Sequence, residues 1–177
     1  MNKEELIDLV KLNLGGGDAS AEIKSRFHPK EIARYIEMVY DDIFNEITIN
    51  VIKYGDFSPL DNYVLPYVLP VLYDSAREQR YTVLTPQPVP LPNNQSIRQV
   101  SPPKDQTLSF APVDDNSSSV WAELDVDKVS PIPGYSVEGN NIYFDSQFPK
   151  GLENIMVKQI VPFSSLKNSD SVFVPGG

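Results

Sequence analysis

No cysteine occurs among the 177 residues, so no disulfide, thiolate nucleophile, cysteine-ligated zinc or iron–sulfur site can be built from this chain. Histidine is nearly as scarce. The one copy, His28, precedes a proline at the start of a helical pattern, where a capping or surface role is a plainer reading than a general base or metal ligand. Long apolar runs are missing too: no stretch approaches the roughly 20 apolar residues a membrane span needs, and the acidic, amphipathic opening MNKEELIDLV has no signal-peptide core. The chain therefore reads as one made and folded in cytoplasm, so the N-x-[ST] matches at Asn94 and Asn116 are not read as glycosylation sites. Basic residues are in deficit, 15 against 24 acidic, for a net charge of -9. Affinity for a phosphate backbone rests on Lys and Arg, so this balance opposes wrapping of nucleic acid. It fits a protein that DNA slides past or never meets, and solubility is the simpler account of it. Proline, finally, is almost absent from the first third of the chain: of 16, only Pro29 precedes Phe57.

What is present divides at Gly55. Residues 3–14 read as a short helix, with Leu6, Ile7, Leu9, Val10 and Leu14 on one side and Lys3, Glu4, Asp8 and Lys11 on the other. Gly15-Gly16-Gly17 then stops it. GGGD is not a phosphate-cradling loop, because no strand precedes it and no Lys-Ser/Thr follows in a P-loop frame. His28-Pro29-Lys30-Glu31 opens the principal helix, with proline at the favourable first position and an acid in the first turn. Ile32, Tyr35, Ile36, Val39, Tyr40, Ile43, Phe44 and Ile47 recur at three and four and make a wide apolar stripe, extended by Ile49, Val51 and Ile52. Two helices alone cannot bury that much surface. Asp41 and Asp42, being adjacent, point in different directions and form a solvated edge rather than an acid/base pair.

Beyond Gly55 the period changes from 3.6 to 2 and the prolines begin. Residues 56–62 carry Ser58-Pro59 and Asp61-Asn62 and mark a connector. Residues 67–73 and 80–84 read as a hairpin with a long loop, and Pro66 and Pro70 assign the first run to a sheet edge. Strands are expected at 96–100, 107–113 and 119–126, the last with Val120, Ala122, Leu124 and Val126 on one face. Gly139-Asn140-Asn141 turns a hairpin between 135–138 and 142–145, and 154–163 supplies a final long strand. About seven strands at this spacing indicate an antiparallel sandwich or barrel. The expected class is thus α+β: N-terminal helices, then an antiparallel β-sandwich or barrel-like domain. The expected divisions are a helical part at 1–55, a linker at 56–66, a β domain at 67–165 and an extended tail at 166–177. No parallel βαβ unit is expected.

Candidate chemistry is thin. Asp114-Asp115-Asn116, or Asp125 with Asp127, offer oxygen ligands of the kind calcium takes, but neither follows the EF-hand loop, and turn or strand-face roles explain them more simply. Serines are plentiful, yet no elbow motif surrounds any of them, so no nucleophile, base and orienter assemble. The expectation is a non-enzymatic protein without metal or cofactor. Trp121, with Tyr135 and Tyr143, is the one aromatic group suited to stacking on a sugar or filling a partner's pocket, although such residues more often pack beneath a loop.

The segments MNKEELIDLVKLNLGGGD, HPKEIARYIEMVYDDIF, DFSPLDNYV, RYTVLTP, VPLPNNQSIRQVSP, VWAELDV and GYSVEGNNIYF together resemble a virion structural protein of crAss-like and related Bacteroidota podoviruses, similar in layout to head-to-tail connector (adaptor, or ring) proteins. The resemblance spans nearly the whole chain and includes no catalytic motif. It implies a homo-oligomeric ring, a dodecamer, that docks under the portal protein and neighbouring connector or tail proteins, with DNA passing through without specific binding and no membrane involved. It also implies residence in the virion after assembly in host cytoplasm, with the stripe from Ile32 to Ile47 as the subunit interface. A further helix is implied after Val174-Pro175-Gly176-Gly177. The alternative is a β-sandwich module of a phage tail or fibre that recognises host glycan through Trp121, Tyr135 or Tyr143.

Overall fold

The computed structural model describes residues 1–15, 29–113, 133–167 and 170. The protein is α+β, with N-terminal helices followed by two mostly antiparallel sheets. It forms two compact units, Met1–Leu65 with Ile160–Gly177, and Pro66–Gln159. The sequence-drawn β domain therefore runs past the observed division: residues 160–165 belong with the helices, because Phe163 fills a place in their core.

In the first unit, α1 (Lys3–Gly15) and α2 (Pro29–Tyr54) match the expected helices closely. A reciprocal capping pair starts α1: Asn2 Oδ1 accepts the Glu5 N–H at 2.8 Å, and Glu5 Oε2 accepts the Asn2 N–H at 2.9 Å. Gly55, at φ +72, ends α2 in the left-handed conformation that costs glycine nothing, and its N–H donates to Val51 O at 2.8 Å. Leu6 and Ile7 of α1, Ile36 of α2 and Phe163 form one core cluster, with Tyr40 stacked on Phe163 at 4.5 Å. Leu9, expected on the inward side of α1, is exposed. A 3₁₀ turn, Ser58–Tyr63, brings Leu60 to full burial and sets Tyr63 edge-on to Phe44 at 5.2 Å.

Among the described residues, the second unit contains a three-stranded sheet, β1–β8–β4, and a five-stranded sheet, β2–β3–β7–β6–β5. The strands are β1 (Val64–Pro70), β2 (Leu72–Asp74), β3 (Gln79–Val83), β4 (Ile97–Ser101), β5 (Ala111–Pro112), β6 (Gly134–Glu138), β7 (Asn141–Phe144) and β8 (Asn154–Ile160). Among the described residues both sheets keep open edges, so the arrangement is sandwich-like and not a closed barrel. The chain enters along β1 and returns along β8, and these are hydrogen-bonded neighbours. This makes the unit an insertion with its two connections side by side. As expected from Pro66 and Pro70, β1 is an edge strand, where a missing N–H breaks no ladder. The Pro70 carbonyl is not wasted, since Thr82 Oγ1 donates to it at 2.9 Å. The β6–β7 hairpin has Glu138 opposite Asn141 and a two-residue turn with Gly139 at φ +60, the position where such turns favour glycine.

Four expectations are adjusted. Residues 67–73 do not pair as one run with 80–84: residues 67–70 lie in β1 beside β8, and only Leu72–Asp74 forms the hairpin with β3. Residues 107–113 contribute only the two-residue β5, and the final strand stops at Ile160, after which Phe163–Ser165 is a 3₁₀ turn. The β5–β6 pair is parallel, with Ala111 opposite Gly134. A parallel pair needs a long connection, and residues 113–133 supply the length. The expected strand at 119–126 lies outside the described residues.

The core of this unit joins both sheets: Leu69, Val100, Ile155 and Val157 from one, Ile142 and Phe144 from the other. Gly134 sits where β6 closes on Asp145. Its N–H donates to Asp145 Oδ2 at 2.6 Å, and a Cβ there would lie 2.7 Å from the same oxygen and in collision with Val113 Cγ2. Gly134→Ala is expected to lower the unfolding free energy by about 1–3 kcal/mol, the usual cost of overpacking. Urea titration checks this, and a variant as stable as the parent refutes the close approach.

Candidate functional site

The eight residues of the α2 stripe separate once folded. Ile36 and Phe44 are 8% and 3% exposed and serve the core of their own unit; Ile32, Tyr40 and Ile47 are half-buried. Tyr35, Val39 and Ile43 remain 59%, 50% and 43% exposed. Spaced at i, i+4 and i+8, these three form one ridge along the solvent side of the helix. Met38, Ile49, Ile52 and Tyr54 add further exposed apolar surface on α2, and of these Met38 and Tyr54 are not singled out by periodicity. A helical wheel cannot find Met38: it lies outside the stripe, and only the packing of α1 and Phe163 reveals which arc of α2 stays uncovered.

Covering a half-exposed side chain of this size gains roughly 1 kcal/mol, so the ridge Tyr35–Val39–Ile43 offers about 3 kcal/mol per contact. Lost rotational and translational freedom costs about 4 kcal/mol or more on association. The ridge is thus sticky enough to be an interface, yet too weak by itself to hold two free subunits together.

Tyr135 and Tyr143 are not brought together. Tyr135 and Tyr143 lie on opposite faces of the five-stranded sheet, because Tyr135 is the cross-strand partner of core residue Phe144, the chain neighbour of Tyr143. Tyr135 is 7% exposed and contributes to a cleft of about 160 Å³ with Asn93, Asn94 and Gln95, smaller than the several hundred Å³ usual for small-molecule sites. Tyr143 stacks on Tyr81 at 5.6 Å and lies under the Arg77 guanidinium at 4.5 Å, which Glu138 holds by an ion pair of 2.6 Å. A ring so engaged is poorly placed to stack on a sugar. Trp121 lies outside the described residues, as do His28, Asp114, Asp115, Asn116, Asp125 and Asp127. The expected aromatic platform is therefore not formed by Tyr135 and Tyr143.

Perturbed titrations trace to local structure. The Ser58 hydroxyl and N–H hold the Asp56 carboxyl low, and those of Thr107 do the same for Asp105, in two separate turns. Burial pushes the phenols of Tyr40 and Tyr63 up, with each other's proximity adding to Tyr63. Among the described residues no three acidic or histidine side chains converge as a metal site, and no helix is long and apolar enough to cross a membrane. No protein-family model matches this sequence, and no curated protein matches it either.

Proposed function

We propose that this chain is a non-enzymatic virion structural protein of a tailed bacteriophage, forming a closed ring of the head-to-tail connector beneath the portal. The observation that carries this reading is the uncovered apolar ridge Tyr35–Val39–Ile43 on a 26-residue helix whose other side already has its own core. Such a ridge asks for a protein neighbour rather than a small ligand. In a ring each subunit uses it once against the next copy, and rotation closes the set. The resemblance of the sequence to connector proteins supplies the identity of the assembly. The weak contact of about 3 kcal/mol accounts for assembly on a template: subunits stay apart until the portal gathers them. Electron microscopy of the native particle is the test. A continuous ring of this protein around the channel supports the reading, and scattered single copies overturn it.

The charge fits a channel that must not hold its cargo. With 15 basic residues against 24 acidic ones, the isolated protein is expected to show no submicromolar binding to duplex or single-stranded DNA at low salt. Fluorescence anisotropy measures it, and tight binding with a steep salt dependence would sink the slippery-channel idea.

A further inference from the structure

Several contacts of residues 163–166 converge on Lys3. Lys3, buried at the start of α1, pairs with Glu37 Oε1 of α2 at 2.7 Å. The same ammonium donates to the carbonyls of Phe163 and Leu166 at 3.4 and 3.2 Å, and lies 5.1 Å from the centre of the Phe163 ring. Its backbone N–H donates to Asp170 O at 3.0 Å. The segment in turn covers α2: Phe163 stacks on Tyr40, and the Ser164 N–H donates to Asp41 Oδ1 at 3.2 Å. A buried ammonium is tolerated only where acceptors surround it. Undocking 163–166 removes two of those acceptors and one ring face, and undocking α1 removes the donor of both carbonyls. Each element therefore depends on the other.

We propose that Lys3 is a charged clasp that joins α1 and residues 163–166 into one cooperative opening unit, a strap over α2. Its opening uncovers Ile36 and Tyr40 and adds them to the exposed ridge Tyr35–Val39–Ile43, so the strap limits how much of α2 is offered to a neighbour. Its use in assembly rests on the ring reading above; the clasp itself does not.

Hydrogen exchange and sedimentation velocity on the full chain test it. In the parent, the slowest amides of α1 and those of Ser165 and Leu166 are expected to share one opening free energy; in Lys3→Met, which keeps the stem and removes the charge, both sets are expected to exchange faster, Ser165 and Leu166 by roughly tenfold or more, and no longer in step. Amides of β7 are expected to be unchanged, and self-association to begin at lower concentration than in the parent. Should Lys3→Met fail to fold, Glu37→Gln keeps the ammonium and its two carbonyl contacts, and is expected to speed both sets in step by a smaller factor. Different opening free energies for α1 and for Ser165 and Leu166 in the parent, or a shared one that persists in Lys3→Met, overturn the clasp, and faster exchange without stronger self-association overturns the strap. Failure of the ring reading shows separately, in where the protein sits in the native particle.

Discussion

Ile43→Asp is expected to abolish incorporation of this protein beneath the portal while leaving its helices formed. Ile43 lies 43% exposed in the middle of the α2 ridge, so an aspartate there meets water in the free subunit and unfolding is not favoured. In a subunit contact the same carboxylate would be taken from water into an apolar ridge without a partner, at a cost of several kcal/mol. That exceeds the roughly 3 kcal/mol the ridge offers, and the loss repeats at every contact of the ring. Tyr35→Asp and Val39→Asp are expected to act alike. Ile36→Asp is the contrasting variant. Ile36 is 8% exposed and belongs to the core with Leu6, Ile7 and Phe163, so its replacement is expected to unfold the helical unit. Circular dichroism separates the two kinds of failure, and electron microscopy of particles assembled with each variant gives the outcome. Normal rings containing Ile43→Asp would remove the ridge from the interface.

Phe144→Ala is expected to cost the β unit about 3–5 kcal/mol. Phe144 is 1% exposed, with Phe148 at 4.5 Å and Phe110 edge-on at 5.9 Å between ring centres. Truncation leaves a cavity the size of one phenyl ring that a two-sheet core cannot close, since the β6–β7 register fixes the backbone on either side. With domain stabilities of about 5–15 kcal/mol, this loss leaves the unit marginal at physiological temperature. A urea midpoint that falls with an unchanged slope is the expected signature. A loss below about 1 kcal/mol would mean that the cluster relaxes into the cavity and is not the rigid centre of the fold.

Local physics fixed much of this molecule from the chain alone. Pro29 at a helix start, Gly55 at its end and a repeat of three and four between them set α2 without help from elsewhere. Gly139 with Asn140 set a two-residue hairpin, and Pro66 with Pro70 set β1 at an edge, because each of these depends only on backbone conformations or donors that a few neighbouring residues decide. The α+β class followed from the change of period. Four things were decided only by tertiary contacts. Residues 160–163 read as the end of a strand, yet Phe163 finds its place among α1 and α2, and burial by distant residues outweighs local β preference. The parallel β5–β6 pair depends on a partner reached through a long connection, which no local pattern encodes. The stripe on α2 announced that it would be buried but not by what: the docking of α1 and Phe163 took Ile36, while Phe44 went to Tyr63, leaving Tyr35, Val39 and Ile43 as the exposed side. Tyr135 and Tyr143 looked equivalent as strand aromatics, and the period-2 alternation of a sheet with one buried face sent one to the core and the other to the outer face. Sequence periodicity says which residues share a face; only packing says which faces are left for a partner.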